Sequence, residues 1–183
     1  PIIQALTGHV AVQRNPEFPA PDLVRNVVAD KASAYTVAQA ITAALFARER
    51  GAGGQHVRVP MLDASLAFFW PDGMMAHTFL GEGVAGGPTL YQIYRLQPTA
   101  DGHLVCFTAS DAEFFGLFRA LGHPEWCSDP RFGPLDERRK PENFAALGQQ
   151  LDEAFRRCKT SELLERLVAE QVPAAPVHSL EEV

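Results

Sequence analysis

Asp30-Lys31-Ala32-Ser33 opens the stretch that decides how this chain folds. It runs through an alanine-rich segment to Arg48-Glu49-Arg50, the turn Gly51-Ala52-Gly53-Gly54-Gln55, then His56-Val57-Arg58-Val59 and Met61-Leu62-Asp63. Apolar side chains at Ala34, Val37, Ala38, Ile41 and Leu45 recur at three- and four-residue spacing, the period of one helical face. Alanines at 40, 43, 44 and 47 thin the other faces so that neighbouring backbones can approach, which predicts a helix buried on several sides. The mostly basic end Arg48-Glu49-Arg50 suits a helix C-terminus, and Gly51 supplies a stop. Val57, Val59 and Met61 then alternate with His56 and Arg58, the pattern of a half-buried strand. Upstream, the β-branched run from Leu23 to Ala29 predicts a short extended approach, with the helix starting just after Asp30. The unit therefore reads as approach, carboxylate, helix, glycine turn, strand.

Working outward, 183 residues with 46% hydrophobic and 21% charged content are enough to bury a core in one or two domains. The 22 acidic and 16 basic residues give a net charge of −6 with no long run of either sign, which argues against nucleic acid as the partner. Cys106, Cys127 and Cys158 are odd in number and far apart, so the expectation is reduced thiols in a cytoplasm, not a disulfide framework or a zinc knuckle. No apolar run approaches the roughly 20 residues that span a bilayer, so no membrane partner is expected. The chain starts at Pro1 directly on the helix-like Ile2-Ile3-Gln4-Ala5-Leu6, as a fragment of something longer would.

That first helix stops at Gly8, and Pro16, Pro19 and Pro21 stiffen the loop that follows. A second apolar helix carries Leu66, Phe69, Trp70 and Met74, with Pro71-Asp72-Gly73 expected to kink or break it. The glycine-rich segment Gly81 to Pro88 is the expected domain transition, dividing residues 1–80 from residues 81–183. Tyr91 to Leu96 and Leu104 to Thr108 predict two strands of a small antiparallel sheet joined through Thr99-Ala100-Asp101-Gly102, because Asp-Gly favours a reverse turn. Asp111 reads as the N-cap of a helix bearing Phe114, Phe115, Phe118 and Leu121 up to Gly122. Asp129-Pro130-Arg131-Phe132 is a tight irregular link. Two further amphipathic helices follow, one through Phe144, Leu147, Leu151, Phe155 and Cys158, the other from Thr160 through Leu163, Leu164, Leu167 and Val168. Pro173 to Val177 is extended.

Few residues carry chemistry on local pattern alone. Asp30 fits an N-cap, and it also fits a nucleophile or acid/base group held beside a packed helix. His9, His56, His77, His103, His123 and His178 are scattered without an i, i+4 pair or a cysteine partner, so no metal site is expected. Gly81 to Gly87 lacks a P-loop lysine and does not match the dinucleotide fingerprint, leaving a connector or a ligand-covering loop. Cys106, alternating within a predicted strand, reads as a buried thiol and not a nucleophile.

Taken in order, several stretches resemble the class III CoA-transferase family, which includes formyl-CoA and carnitine CoA-transferases and the α-methylacyl-CoA racemases. They are Ile3-Gln4-Ala5-Leu6-Thr7-Gly8; Val28-Ala29-Asp30; Ala43-Ala44-Leu45 through Arg48-Glu49-Arg50-Gly51-Ala52-Gly53-Gly54-Gln55 to Met61-Leu62-Asp63; Asp101-Gly102; and Leu121-Gly122 with Asp129-Pro130-Arg131-Phe132. Val172-Pro173-Ala174-Ala175-Pro176-Val177 fits as well. The resemblance implies an α/β fold: part of a Rossmann-like large CoA-binding domain in residues 1–80, whose N-terminal portion would precede Pro1, and a smaller α+β domain with a short antiparallel sheet in residues 81–183. It also implies more chain after Val183 and an interlocked homodimer.

By the same resemblance Asp30 is the catalytic carboxylate, with an acyl-CoA and a carboxylic acid acceptor as substrates and no cofactor beyond coenzyme A itself as substrate. In transferases of the family the aspartate attacks the acyl-CoA carbonyl to give a mixed anhydride, which the released thiolate converts to an aspartyl-CoA thioester for the acceptor acid. The segment Gly81 to Gly87 falls where these enzymes have a covering loop, which makes Gly83, Gly86, Gly87 and Asp111 candidate substrate residues. In a racemase the same aspartate would act as an acid/base group. Its partner histidine would fall about two residues before Pro1, and a second carboxylate, usually glutamate, would fall at Asp111. A non-catalytic CoA-binding homologue is a further alternative. CoA transfer is the expected activity.

Overall fold

The computed structural model describes residues 1–15, 17–75, 77–84 and 89–183. The chain forms two compact units, Pro1–Tyr94 and Arg95–Val183.

The first unit is helical. Helix α1 (Ile2–Thr7) ends at Gly8, whose φ of 91° is the left-handed conformation that a residue with a Cβ adopts only at a cost. A Cβ there would also lie 2.9 Å from the Phe69 ring, so Gly8 is where α1 meets the next helix but one. Helix α2 (Val28–Ala47) and helix α3 (Met61–Gly73) pack on each other and on α1. Pro71 lies within α3, three positions from Met74, its C-cap; the expected break is therefore the end of the helix. A one-turn helix α4 (Leu90–Ile93) closes the unit, started by Thr89 and Gln92 in a reciprocal capping box.

Three expectations for this unit fail, each for a local reason. Helix α2 begins at Val28, two residues ahead of Asp30, and the run before it forms no strand. The face of α2 that is buried is also the wrong one. Ala29, Ala32 and Ser33 are buried and Thr36, Ala40, Ala44 and Ala47 half-buried, whereas Ile41 and Leu45 are exposed, as are Tyr35 at 73% and Phe46 at 66%. Small side chains admit the closest backbone approach, and α3, which packs on α2, likewise buries Ala64 and Ser65. Finally, residues 53–60 join no ladder among the described residues. The alternation survives as half-buried Val57 and Val59 between exposed His56 and Arg58, but no described strand pairs with them, and Met61 begins α3.

Beside Gly8, His9 is 7% exposed, and its ring centroid lies 4.6 Å from that of Phe69. The Thr7 hydroxyl lies 2.9 Å from the Ile3 carbonyl oxygen and 2.7 Å from His9 Nδ1. A hydroxyl has one hydrogen, so it either goes to Ile3 while Nδ1–H donates to the oxygen, or goes to Nδ1 of the other tautomer. Burial pushes the imidazole below its usual value, opposed by the nearby charge of Asp72.

The second unit is a three-stranded antiparallel sheet backed by helices. Strands β1 (Gln97–Pro98), β2 (His103–Cys106) and β3 (Ala174–Pro176) lie in that order, with Gln97 opposite Leu104 and Val105 opposite Ala175. The expected strand from Tyr91 to Leu96 does not form, because the Thr89–Gln92 capping box starts a helical turn over Leu90 to Ile93 and the ladder begins only at Gln97; the extended tail, by contrast, becomes β3. The predicted reverse turn is present, with the Thr99 amide donating to the Gly102 carbonyl at 2.9 Å. Asp101 in that turn accepts from both the amide and the hydroxyl of Thr160 at 2.8 Å, tying the hairpin to the start of helix α8 (Thr160–Ala169). These bonds hold its carboxylate below the usual range.

Helices α5 (Asp111–Ala120), α6 (Leu135–Arg138) and α7 (Pro141–Arg157) complete this unit. Phe118, Phe132, Phe155, Leu104, Leu163 and Leu167 are under 2% exposed and form its core. Burying one such side chain contributes about 1.5–3 kcal/mol. Gly116 lets α5 approach the chain just past α8, where an added Cβ would lie 2.8 Å from the Glu170 carbonyl oxygen.

Asp111 is not the N-cap of α5. Ser110 is, with its hydroxyl accepting from the Glu113 amide while Glu113 accepts from the Ser110 amide at 2.8 Å. Serine wins because Glu113 lies three residues after it, the spacing that closes the box. Asp111, at the first helical position, instead pairs with Arg138. Arg138 is 3% exposed, donates through Nη1 to the carbonyls of Phe132 and Gly133 at 2.7 and 2.9 Å, and stacks 4.3 Å from the Phe114 ring centroid. A buried guanidinium is tolerated only with its donors satisfied, and these bonds shape the Asp129 to Gly133 link.

Two stability measurements test these contacts on the full-length polypeptide. Because the folded-state pKa of His9 is depressed, the unfolded chain binds more protons. The His9 contribution is thus fully present above the ordinary value of 6.5 and is lost as pH falls through the folded value. Urea unfolding as a function of pH should show a shallower acid-side loss in His9→Gln than in the parent protein. At neutral pH, Arg138→Met should lower stability by about 1–3 kcal/mol through its orphaned carbonyls. Asp111→Asn should cost less, since the Asp111 carboxylate is half in water.

Candidate active site

Asp30 is the third residue of α2 and lies in its first turn. Its neighbours on either side along the helix face, Ala29, Ala32 and Ser33, are buried, while Asp30 itself is exposed. Ser33 donates to the Ala29 carbonyl at 2.7 Å, so the hydroxyl next along the helix is committed to the backbone. The helix has no side-chain cap, and among the described residues no hydrogen bond or ion pair engages the Asp30 carboxylate. The capping role is therefore removed from Asp30. What is left is an unpaired carboxylate at the end of a helix whose first amides lack intrahelical acceptors, an arrangement suited to attack on an electrophile and to holding a nearby oxyanion.

The position of that first turn is set from outside the helix. Gln4 in α1 is 5% exposed. Its Nε2 donates to the carbonyls of Val24 and Asn26 at 3.2 and 2.9 Å, and its Oε1 accepts from the Val24 amide at 3.0 Å. The first full helical turn follows at once, with the Lys31 amide donating to the Val27 carbonyl at 3.0 Å. Gln4 lies in the Ile3 to Gly8 stretch, yet neither its spacing nor its type marks it out, since an isolated glutamine in a helix ordinarily faces water.

The other candidates are placed separately. Gly83 is exposed in a turn with φ of 80°, and Gly86 and Gly87 lie outside the described residues. Asp111 belongs to the second unit and is the partner of Arg138, with half its side chain exposed. In the first unit Phe69, Met74, Leu90, Tyr91 and Arg14 line a cavity of about 310 Å³; Asp30 is not among its lining residues, so the cavity alone does not locate the chemistry. Burial pushes the Cys106 thiol up to about 11, which keeps it protonated at neutral pH and matches its reading as a buried thiol.

Among the described residues no group of three or more His, Cys, Asp or Glu side chains converges as metal ligands would, and no helix is long and apolar enough to cross a membrane.

Comparison with known proteins gives a consistent result. The model of CoA-transferase family III matches residues 1–183. The chain is 27% identical over 179 residues to an acetyl-CoA:oxalate CoA-transferase of Acetobacter aceti, covering 96% of this chain and 45% of that protein. It is 25% identical over 190 residues to a succinate–glutarate CoA-transferase of Agrobacterium fabrum, covering 100% of this chain and 45% of that protein. The crystal structure of Rv3272 from Mycobacterium tuberculosis superposes with a TM-score of 0.78 at 25% identity, over 98% of this chain and 47% of that one. The chain spans about half the length of the curated relatives it matches. With a family model matched from its first residue to its last, this chain belongs to CoA-transferase family III.

Proposed function

We propose that this chain carries the catalytic carboxylate of a CoA-transferase, Asp30, which moves coenzyme A from an acyl-CoA to an acceptor carboxylic acid. The observation that carries the reading is an exposed aspartate in the first turn of a helix, without a partner among the described residues, within a chain matched over its whole length by this family. An Asp30 oxygen adds to the thioester carbonyl, and the C–S bond breaks to release CoA thiolate and leave a mixed anhydride. The thiolate then attacks the Asp30 carbonyl carbon, expelling the donor acid as its carboxylate and forming an aspartyl-CoA thioester. The acceptor carboxylate repeats the sequence in reverse: it displaces the thiolate to give a second anhydride, and the thiolate takes the new acyl group and frees Asp30. Covalent catalysis keeps the thioester free energy on the enzyme while the acids exchange.

In this reading the first-turn amides of α2 receive the oxyanion formed at each addition. Water would hydrolyse every intermediate, and the segment containing Gly83, Gly86 and Gly87 is proposed to cover the site; Asp111 is kept as a separate candidate substrate residue. In this reading residues 1–80 belong to a large CoA-binding domain and residues 81–183 to a small one, the working enzyme is an interlocked homodimer, and coenzyme A is needed only as substrate.

Incubating the full-length polypeptide with acyl-CoAs, quenching with hydroxylamine and sequencing the peptides by mass spectrometry tests the assignment. A hydroxamate is expected on Asp30, and Asp30→Asn should lower transfer by at least about 1,000-fold. Exchange of the substrate α-proton without an adduct would turn the assignment to a racemase. The absence of both adduct and exchange would leave coenzyme A binding alone.

A further inference from the structure

We infer that Gln4 is a positioning residue for the Asp30 carboxylate; the inference rests on the nucleophile reading above. A side-chain amide has one acceptor oxygen and two donor hydrogens, and Gln4 uses all three on a single short segment. It brackets Val24 by accepting from its amide at 3.0 Å and donating to its carbonyl at 3.2 Å, and it spends its second hydrogen on the Asn26 carbonyl at 2.9 Å. These are the groups that would enter a ladder if the approach to α2 were a strand, and in its place a buried side chain completes them.

The geometry of this contact bears on the reacting group. Asn26 precedes the start of α2 by two residues and Asp30 by four, and the Val27 carbonyl is already engaged by the Lys31 amide. Backbone groups of Val24, Asn26 and Val27 are thus engaged on the way into the first turn. At its other end Gln4 is anchored, because it sits in α1, whose terminus abuts Phe69 of α3 at Gly8. Helix α3 in turn packs along α2. The loop from α1 back to α2 is closed by the Gln4 amide, so the direction in which α2 begins, and with it the site of the Asp30 oxygens, follows from three hydrogen bonds to one side chain. No other residue type supplies one acceptor and two donors at this reach without a charge. Glutamate would set an anion against two carbonyl oxygens, and methionine would fill the space with nothing to donate.

A glutamine that only satisfied buried backbone groups would affect how much protein folds, not how fast folded protein reacts. Single-turnover formation of the Asp30 hydroxamate at saturating acyl-CoA separates the two, since its amplitude counts folded sites and its rate constant reports alignment. In the full-length polypeptide, Gln4→Met is expected to form the adduct roughly 10–100-fold more slowly, as an ångström-scale displacement of a nucleophile does, with dissociation of the acyl-CoA unchanged. Gln4→Asn, which keeps the amide on a shorter stem, should fall between Gln4→Met and the parent protein, and it serves as the measured variant if Gln4→Met does not fold. Unchanged rate constants in both variants, whatever the amplitudes, overturn the inference and leave the nucleophile in place. No adduct on Asp30 in the parent protein overturns both.

Discussion

The segment that leads into α2 has backbone groups that neither a helix nor a strand accommodates, and the buried amide of Gln4 meets that need. Peptide groups shielded from water are costly unless paired, and in this partly buried segment the buried Gln4 side chain supplies the partner. Here the partner is a side chain from a helix some twenty residues earlier in the sequence. The rest of the first unit is consistent with this constraint. Helix α1 is short and closed by Gly8 against Phe69, and the packed helices α2 and α3 both bury alanine and serine, the small residues that close contact demands.

The second unit depends on a different economy of polar groups. Its hairpin turn is not only a reversal of direction, because Asp101 in the turn also starts α8 by accepting from the Thr160 amide and hydroxyl. Arg138 plays the corresponding part beneath α5, with carbonyls of the Asp129 to Gly133 link on one side and Asp111 on the other. In each case one polar side chain holds two segments distant in sequence, and the aromatic and leucine core fills the space that remains. Asp111 is thus part of the framework as well as a candidate to meet substrate.

Much of the second unit was legible in the sequence. Helices α5, α7 and α8 carry large apolar residues at helical spacing, and Phe118, Phe155, Leu163 and Leu167 are buried as their period requires. Asp101-Gly102 announced its turn for an equally local reason. In the first unit the same reasoning misjudged α2, because the period found Ile41 and Leu45 while the packed face is the alanine face. Volume, and not hydrophobicity, selects the side of a helix that approaches another backbone most closely. The alternation in residues 56–61 was read as a strand, and half of it is realised as burial, but a strand also needs a neighbour to bond with.

For Asp30 the sequence by itself determined a carboxylate near the start of a long helix, and an ordered series of family motifs around it. It also determined the helix stops at Gly8 and Gly122 and the amphipathic helices of the second unit, since turn chemistry and periodicity act over a few neighbouring residues. Only the tertiary structure decided that α2 begins at Val28, that Asp30 is not a cap and has no partner among the described residues, that Ser110 caps α5, and that Gln4 and Arg138 are buried polar anchors. Those outcomes depend on which distant backbone groups a side chain can reach, a property of the folded arrangement that no local pattern encodes.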